Sequence, residues 1–128
     1  MIVIDGSALV IGVADTTSRG RHVRSMLGDD AVAPHLVDAE VGQAVRGLVI
    51  RGALDAEEAA RSMLAAQALV TERFPHVPLV GRAWSLRDNL SFYDALYVAL
   101  AELLRVPLVT ADARLAGAHG PNCDIELI

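Results

Sequence analysis

Ten consecutive positions, ALYVALAELL from Ala95 to Leu104, carry a single charge, Glu102, and one amphipathic ring, Tyr97. A helix that is apolar on every side cannot rest on a surface and has to be enclosed by other elements. The spacing predicts this helix over Ser91 to Arg105. A short β-rich run, Val106 to Thr110, follows almost without a break. A buried helix feeding directly into a short strand requires a layered α/β fold, with helices pressed onto a sheet. The same helix nevertheless opens with an ionisable acid, Asp94.

The remaining segments alternate in the same way. Met1 to Ile4 is β-branched and ends at Asp5, and Ser7 to Ala14 reads as a helix with Ser7 near its cap. Arg19 to Leu27 is helical and closed by Gly28, Ala31 to Val32 is a very short strand, and Pro34 opens a helix from His35 to Arg51. Asp55 caps the next helix, with Glu58 completing a capping box, and that helix runs to about Arg73. Val77 to Val80 is a strand candidate, Arg82 to Leu86 a short helix, Ala113 to Ala118 a last helical turn, and Ile125 to Ile128 a terminal strand. Strands alternating with helices predict a mainly parallel sheet covered on both faces. The expectation is one three-layer α/β/α domain over residues 1–128, a length suited to a single core.

Composition narrows the chemistry. All eleven basic residues are Arg, which removes Walker-type phosphate loops, Schiff bases and every other mechanism that needs a Lys. A net charge of −5 argues against a broad basic nucleic-acid face. No apolar run approaches the roughly 18 residues of a membrane span, and no basic flank marks a secretory signal. The single cysteine, Cys123, excludes an internal disulfide and fits a reducing cytoplasm. His22, His35, His76 and His119 lack metal-ligand spacing, Ser7 has no evident His partner, and Asp5-Gly6-Ser7 lacks the second Asp of a D-x-D phosphatase.

Four acids stand apart from the other twelve. Asp5 and Asp112 each follow the carboxyl end of a β-rich run, MIVID and PLVTAD, where open parallel sheets bind their ligands. Taken singly, each reads better as a turn or cap residue. Asp94 sits three residues after Ser91, as in a capping box. Glu40 projects from inside an apolar arc of Leu36, Val37, Val41, Ala44 and Leu48, with no basic residue within a turn on that arc to pair it. If these carboxylates converge, each pair about 5 Å apart repels by roughly 3 kcal/mol at an effective dielectric of 20. Protons or a cation must then bind, and hard oxygen donors select Mg²⁺ or Mn²⁺. Without these four, twelve acids face eleven Arg, so the acidity of the chain lives largely in this group.

The blocks VIDGSALV, LVDAEVGQAV and SFYDALYVALAELLRVPLVTADARL, in that order from Val3 to Leu115, resemble the PIN-domain nucleases, and most closely their VapC-type toxin branch. The resemblance implies that Asp5, Glu40, Asp94 and Asp112 are catalytic metal-binding acids, with Ser7 and Thr110 as supporting hydroxyls. Gly6 stands where Ala or Thr is more usual, a mild departure. The resemblance further implies internal cleavage of RNA with Mg²⁺ or Mn²⁺, frequent homodimerisation, and inhibition by a small cognate antitoxin. The antitoxin's helix would lie in a groove, for which the apolar faces of the Ser7, Arg19 and Asp55 helices are candidate walls. Asp5, Asp94 and Asp112 would hold the ion; Glu40 would either join them or orient the attacking water. Arg46, Arg87 and Arg114 are candidates for phosphate contact. Two other classes compete: a non-toxin PIN nuclease of RNA processing or decay, and a non-enzymatic α/β binding module using the acids as caps.

Overall fold

The computed structural model describes all residues from Met1 to Ile128. Five strands form one sheet in the order β3-β2-β1-β4-β5: β1 (Ile2–Ile4), β2 (Ala31–Pro34), β3 (Val70–Phe74), β4 (Leu108–Thr110) and β5 (Ile125–Leu127). Every pairing is parallel. The helices are α1 (Gly6–Ala14), α2 (Ser18–Leu27), α3 (Leu36–Ile50), α4 (Ala56–Leu69), α5 (Val80–Ser85), α6 (Phe92–Leu104) and α7 (Ala113–Ala116). Val3 and Ile4 of β1, and Leu108 and Val109 of β4, are wholly buried, as strands covered on both faces must be. The α/β/α expectation holds.

Strand order places the functional end. The chain adds β2 and β3 on one side of β1, then crosses to add β4 and β5 on the other. The order therefore reverses between β1 and β4, and in such sheets the ligand crevice opens beyond the carboxyl ends of the strands flanking that point. Asp5 follows β1 and Asp112 follows β4.

Helix α6 occupies the position its composition demands. Every residue from Ala95 to Ala101 is buried, and the helix packs on β1, β2 and β4. Burying a Leu or Val side chain contributes about 1.5–3 kcal/mol, so this segment anchors the core. Glu102 remains ionised because the Arg82 guanidinium grips it through two bonds of 2.7 and 3.0 Å.

Three boundaries differ from expectation. The helix from Asp55 ends at Leu69, and Val70–Phe74 forms the edge strand β3, paired to β2. Its polar Thr71 and Glu72 are both exposed, at the register shift where β3 skips Thr71 in pairing with β2. Val77–Val80 is not a strand: Val77–Leu79 is a 3-10 turn leading into α5, and Pro78, lacking an N–H, could not complete a ladder there. Pro34 ends β2 instead of opening a helix; α3 starts at Leu36, whose N–H donates to His76 Nε2 at 3.0 Å.

Candidate active site at the switch point

Asp5 is the N-cap of α1. Its Oδ1 accepts the Ala8 N–H at 2.9 Å and the Ser7 hydroxyl at 2.6 Å, while Oδ2 accepts the Thr110 hydroxyl at 2.5 Å. Ser7, expected near the cap, thus lies inside the helix and turns back to its carboxylate. Thr110 Oγ1 also accepts the Asp112 N–H at 3.0 Å, and Ser7 Oγ accepts the Ala111 N–H at 3.0 Å. Two hydroxyls therefore lock the β1–α1 turn to the β4–α7 turn across the switch point. Asp5 is only 4% exposed, and no basic side chain pairs with it. Burial pushes its carboxyl above the usual range, the three hydrogen bonds oppose that, and the charge of Asp112 adds to it.

Asp94 lies in the first turn of α6. Ser91 Oγ accepts its N–H at 3.1 Å, so the cap is real, but no return bond runs from the Asp94 carboxylate to the Ser91 amide. The contrast with Asp55 and Glu58, which form both halves of a capping box, is direct. Capping thus accounts for Ser91, while the Asp94 carboxylate makes no backbone bond that would complete a capping box. Burial raises its pKa, the Ser91 hydroxyl lowers it, and the charges of Asp112 and Asp5 raise it further.

Glu40 sits in the second turn of α3. The buried stripe of that helix is Val37, Val41 and Val45; Ala44 is exposed and Leu48 only half-buried, so Glu40 stands at the edge of the stripe, not inside it. Its partner is a phenol: the Tyr97 hydroxyl donates to Glu40 Oε1. Burial raises the Glu40 pKa, the Tyr97 bond lowers it, and the charges of Asp5 and Asp94 raise it again. Sequence alone does not single out Tyr97; its hydroxyl, inside an otherwise apolar buried run, finds its partner in Glu40.

Asp112 caps α7 through the Arg114 N–H at 2.8 Å and pairs with the Arg114 guanidinium at 3.1 Å, which holds its carboxyl below the usual range. The four acids consequently come from four different elements, sense one another's charge, and share the carboxyl edge of the sheet. No three carboxylate, imidazole or thiol groups are drawn close enough to enclose an ion as they stand. The donor set is nonetheless entirely hard oxygen, and Asp5, Glu40 and Asp94 lack any cationic neighbour within ion-pair distance. Such a set fits a divalent cation of the Mg²⁺ or Mn²⁺ kind. Of the other Arg candidates, Arg87 stacks over the Trp84 ring at 5.0 Å and Arg46 is exposed on α3.

The PIN-domain family model matches residues 2–120. This chain belongs to the PIN-domain family, in its VapC branch. Ribonuclease VapC1 of Mycobacterium tuberculosis is 44% identical over 128 residues, covering 98% of this chain and 96% of that protein. Ribonuclease VapC9 of the same organism is 39% identical, covering 100% and 98%. Among solved structures, the Pyrobaculum aerophilum protein PAE2754 superposes with a TM-score of 0.73 at 25% identity, over 97% of this chain and 81% of that one. Within the PIN frame, the departure at Gly6 has a local cause: a Cβ there would stand 2.9 Å from Glu40 Cβ. The glycine lets α3 bring Glu40 beside Asp5.

Proposed function

We propose that this PIN domain, spanning residues 1–128, is a Mg²⁺- or Mn²⁺-dependent endoribonuclease and the toxin of a toxin–antitoxin pair. The observation that carries the reading is the state of Asp5, Glu40 and Asp94. Each is at least half-buried with its pKa raised, none has a basic partner, and each is raised in part by the charge of another site acid. A stable fold does not assemble ionised carboxylates at one edge unless protons or a cation neutralise them, and an all-oxygen donor set without a basic partner suits the cation.

The named residues divide the work. Asp5, Asp94 and Asp112 would hold the ion, and Ser7 with Thr110 fixes the orientation of the Asp5 carboxylate. When bound, the ion supplies Lewis acidity toward a phosphodiester oxygen and a lowered pKa for a water. Glu40, held at one oxygen by Tyr97, keeps the other free to orient the attacking water. Arg114, 91% exposed on its contact with Asp112, reaches toward an RNA phosphate.

An antitoxin partner is supported by an apolar depression of about 290 Å³ between α1 and the α3–α4 connection, lined by Val10, Ile11, Ala14, Leu48 and Leu54. Helices α2 and α4 do not wall it, unlike the groove anticipated above; α2 is packed directly on α1, where Arg24 bonds to Gly12 O at 2.6 Å. Exposed Val77, Val80, Trp84 and Leu103 around α5 and α6 offer apolar surface to a homodimer. No helix is long and apolar enough to cross a membrane, and the reading places the pair in the cytoplasm.

The test is cleavage of labelled RNAs by the purified full chain. Internal cuts with Mg²⁺ or Mn²⁺, abolished by Asp5→Asn with an unchanged circular-dichroism spectrum, are the expected result. Cutting that persists in excess EDTA overturns the mechanism. A neighbouring reading frame whose product suppresses the activity separates the toxin from a nuclease of general RNA processing.

A further inference from the structure

Aromatic side chains are scarce in this chain: two Phe, two Tyr and one Trp in 128 residues. Three of them, Phe92, Tyr93 and Tyr97, fall within six positions of α6 that also contain Asp94. Tyr97 is explained by its bond to Glu40. Tyr93 is not explained by packing, since 61% of its surface is exposed. Its hydroxyl makes no hydrogen bond within the chain, and Asp94 alone separates it from the buried run beginning at Ala95. Exposure of one ring is ordinary by itself; what sets Tyr93 apart is that it borders a depression shared with a candidate site acid.

The ring forms one wall of a shallow depression of about 400 Å³, completed by Leu36, Ala39, Glu40, Gln43 and Ala44 of α3. Three of these walls are aliphatic, one is a carboxamide and one is an acid of the proposed catalytic set. The depression contains no basic group, so a phosphate is repelled there by Glu40. A flat, uncharged, hydrogen-bonding group is accepted: apolar walls and a phenol ring cover its faces, and the Gln43 carboxamide offers both a donor and an acceptor to its edge. Single-stranded RNA supplies such a group beside every phosphate, and unstacked bases are held in this way, on aromatic rings with an edge hydrogen-bonded.

We infer that the depression between α3 and the first turn of α6 is a nucleobase subsite, in which Tyr93 stacks on the base adjoining the scissile phosphate and Gln43 reads its edge. Glu40 belongs to both the subsite and the acid cluster, so a base seated against Tyr93 sets which phosphate lies at the carboxylates. The subsite gives the enzyme its choice of cleavage position. The inference rests on the ribonuclease reading and adds to it the element that selects the cut.

The experiment is cleavage of a randomised single-stranded RNA by the full chain with Mn²⁺, with every product end sequenced and KM measured on one preferred site. The wild type shows a base preference at one position flanking the cut, and Tyr93→Phe keeps it. Tyr93→Ala raises KM by about 5- to 150-fold, the range that loss of one base–aromatic stack implies, and flattens the preference. Gln43→Leu changes which base is preferred. An unchanged KM and cleavage pattern in Tyr93→Ala overturns the subsite, as does a change confined to its oligomeric state, which would make Tyr93 a protein contact. A wild type that cuts no RNA under any divalent cation refutes the ribonuclease reading itself, a result distinct from either.

Discussion

The Tyr97 hydroxyl of α6 donates to the Glu40 carboxylate, joining the central buried helix to a candidate site acid in the second turn of α3. Tyr97 is 1% exposed, so this phenol is a fixed part of the core that reaches out to a half-buried acid. Removing the hydroxyl in Tyr97→Phe leaves Glu40 without its donor. The expected cost is about 1–2 kcal/mol in urea unfolding, together with a fall in kcat larger than any change in KM, because the carboxylate loses its orientation. A variant with wild-type kcat would show that Glu40 needs no positioning.

Gly6→Ala reverses a familiar sign. In an open helical position the change gains up to about 1 kcal/mol. Here the added Cβ meets Glu40 Cβ at 2.9 Å, a contact between two short, stiff groups, so α3 must shift. The prediction is a loss of about 1–2 kcal/mol and weaker Mn²⁺ binding. Equal or greater stability would place α3 more loosely than the structure does.

Asp5, Glu40 and Asp94 have raised pKa values in the fold, against 3.8 for Asp and 4.5 for Glu unfolded. A raised acid binds its proton more tightly when folded, so its favourable contribution is complete below the unfolded pKa and is lost as pH rises through the folded one. Metal-free protein should therefore gain stability from these three acids as pH is lowered from neutrality toward their unfolded values, 3.8 for Asp and 4.5 for Glu. Asp38, Glu102 and Asp112, which are lowered by Arg partners, act in the opposite sense and lose their contribution only as pH falls further, below 4.5 for Glu and 3.8 for Asp. Mg²⁺ replaces the protons, so its stabilising effect on Tm should be large at pH 7.5 and shrink toward pH 5. A metal effect independent of pH would contradict the linkage.

Cys123 gives a control remote from the site. Burial, with the Glu102 carboxylate nearby, pushes its thiol up to about 11. At pH 8 the native protein should react with a thiol probe far more slowly than the urea-unfolded chain. Equal rates would show the C-terminal segment around Cys123 to be open.

Much of this site was legible because acids at strand ends obey a topological rule. Asp5 and Asp112 could be placed from MIVID and PLVTAD alone, and parallel strand order then brings them together. Asp94 reads from sequence as either cap or ligand; the structure shows the Ser91 cap without the return bond to the Ser91 amide that a full capping box would have. Glu40 stands out in the sequence against an apolar arc, but the buried stripe runs through Val45, not Ala44, so the acid is less enclosed than its spacing implies. Tyr97 escaped because Tyr counts as apolar in a buried run, while its hydroxyl needs a partner that only tertiary packing reveals. Strand β3 was absorbed into the preceding helix because Thr71, Glu72 and Arg73 are compatible with either element. The sheet edge decides the matter, and a sheet edge is not a local property of sequence.

The measurement closest to the central claim is Mn²⁺ binding followed by electron paramagnetic resonance, on the wild type and on Asp94→Asn. Saturable binding by the wild type, weakened at least tenfold in a variant with the same far-ultraviolet spectrum, is the predicted result. Identical binding by the two proteins, or none by the wild type at millimolar Mn²⁺, would contradict it, and Asp94 would then be no more than the third residue of a capped helix.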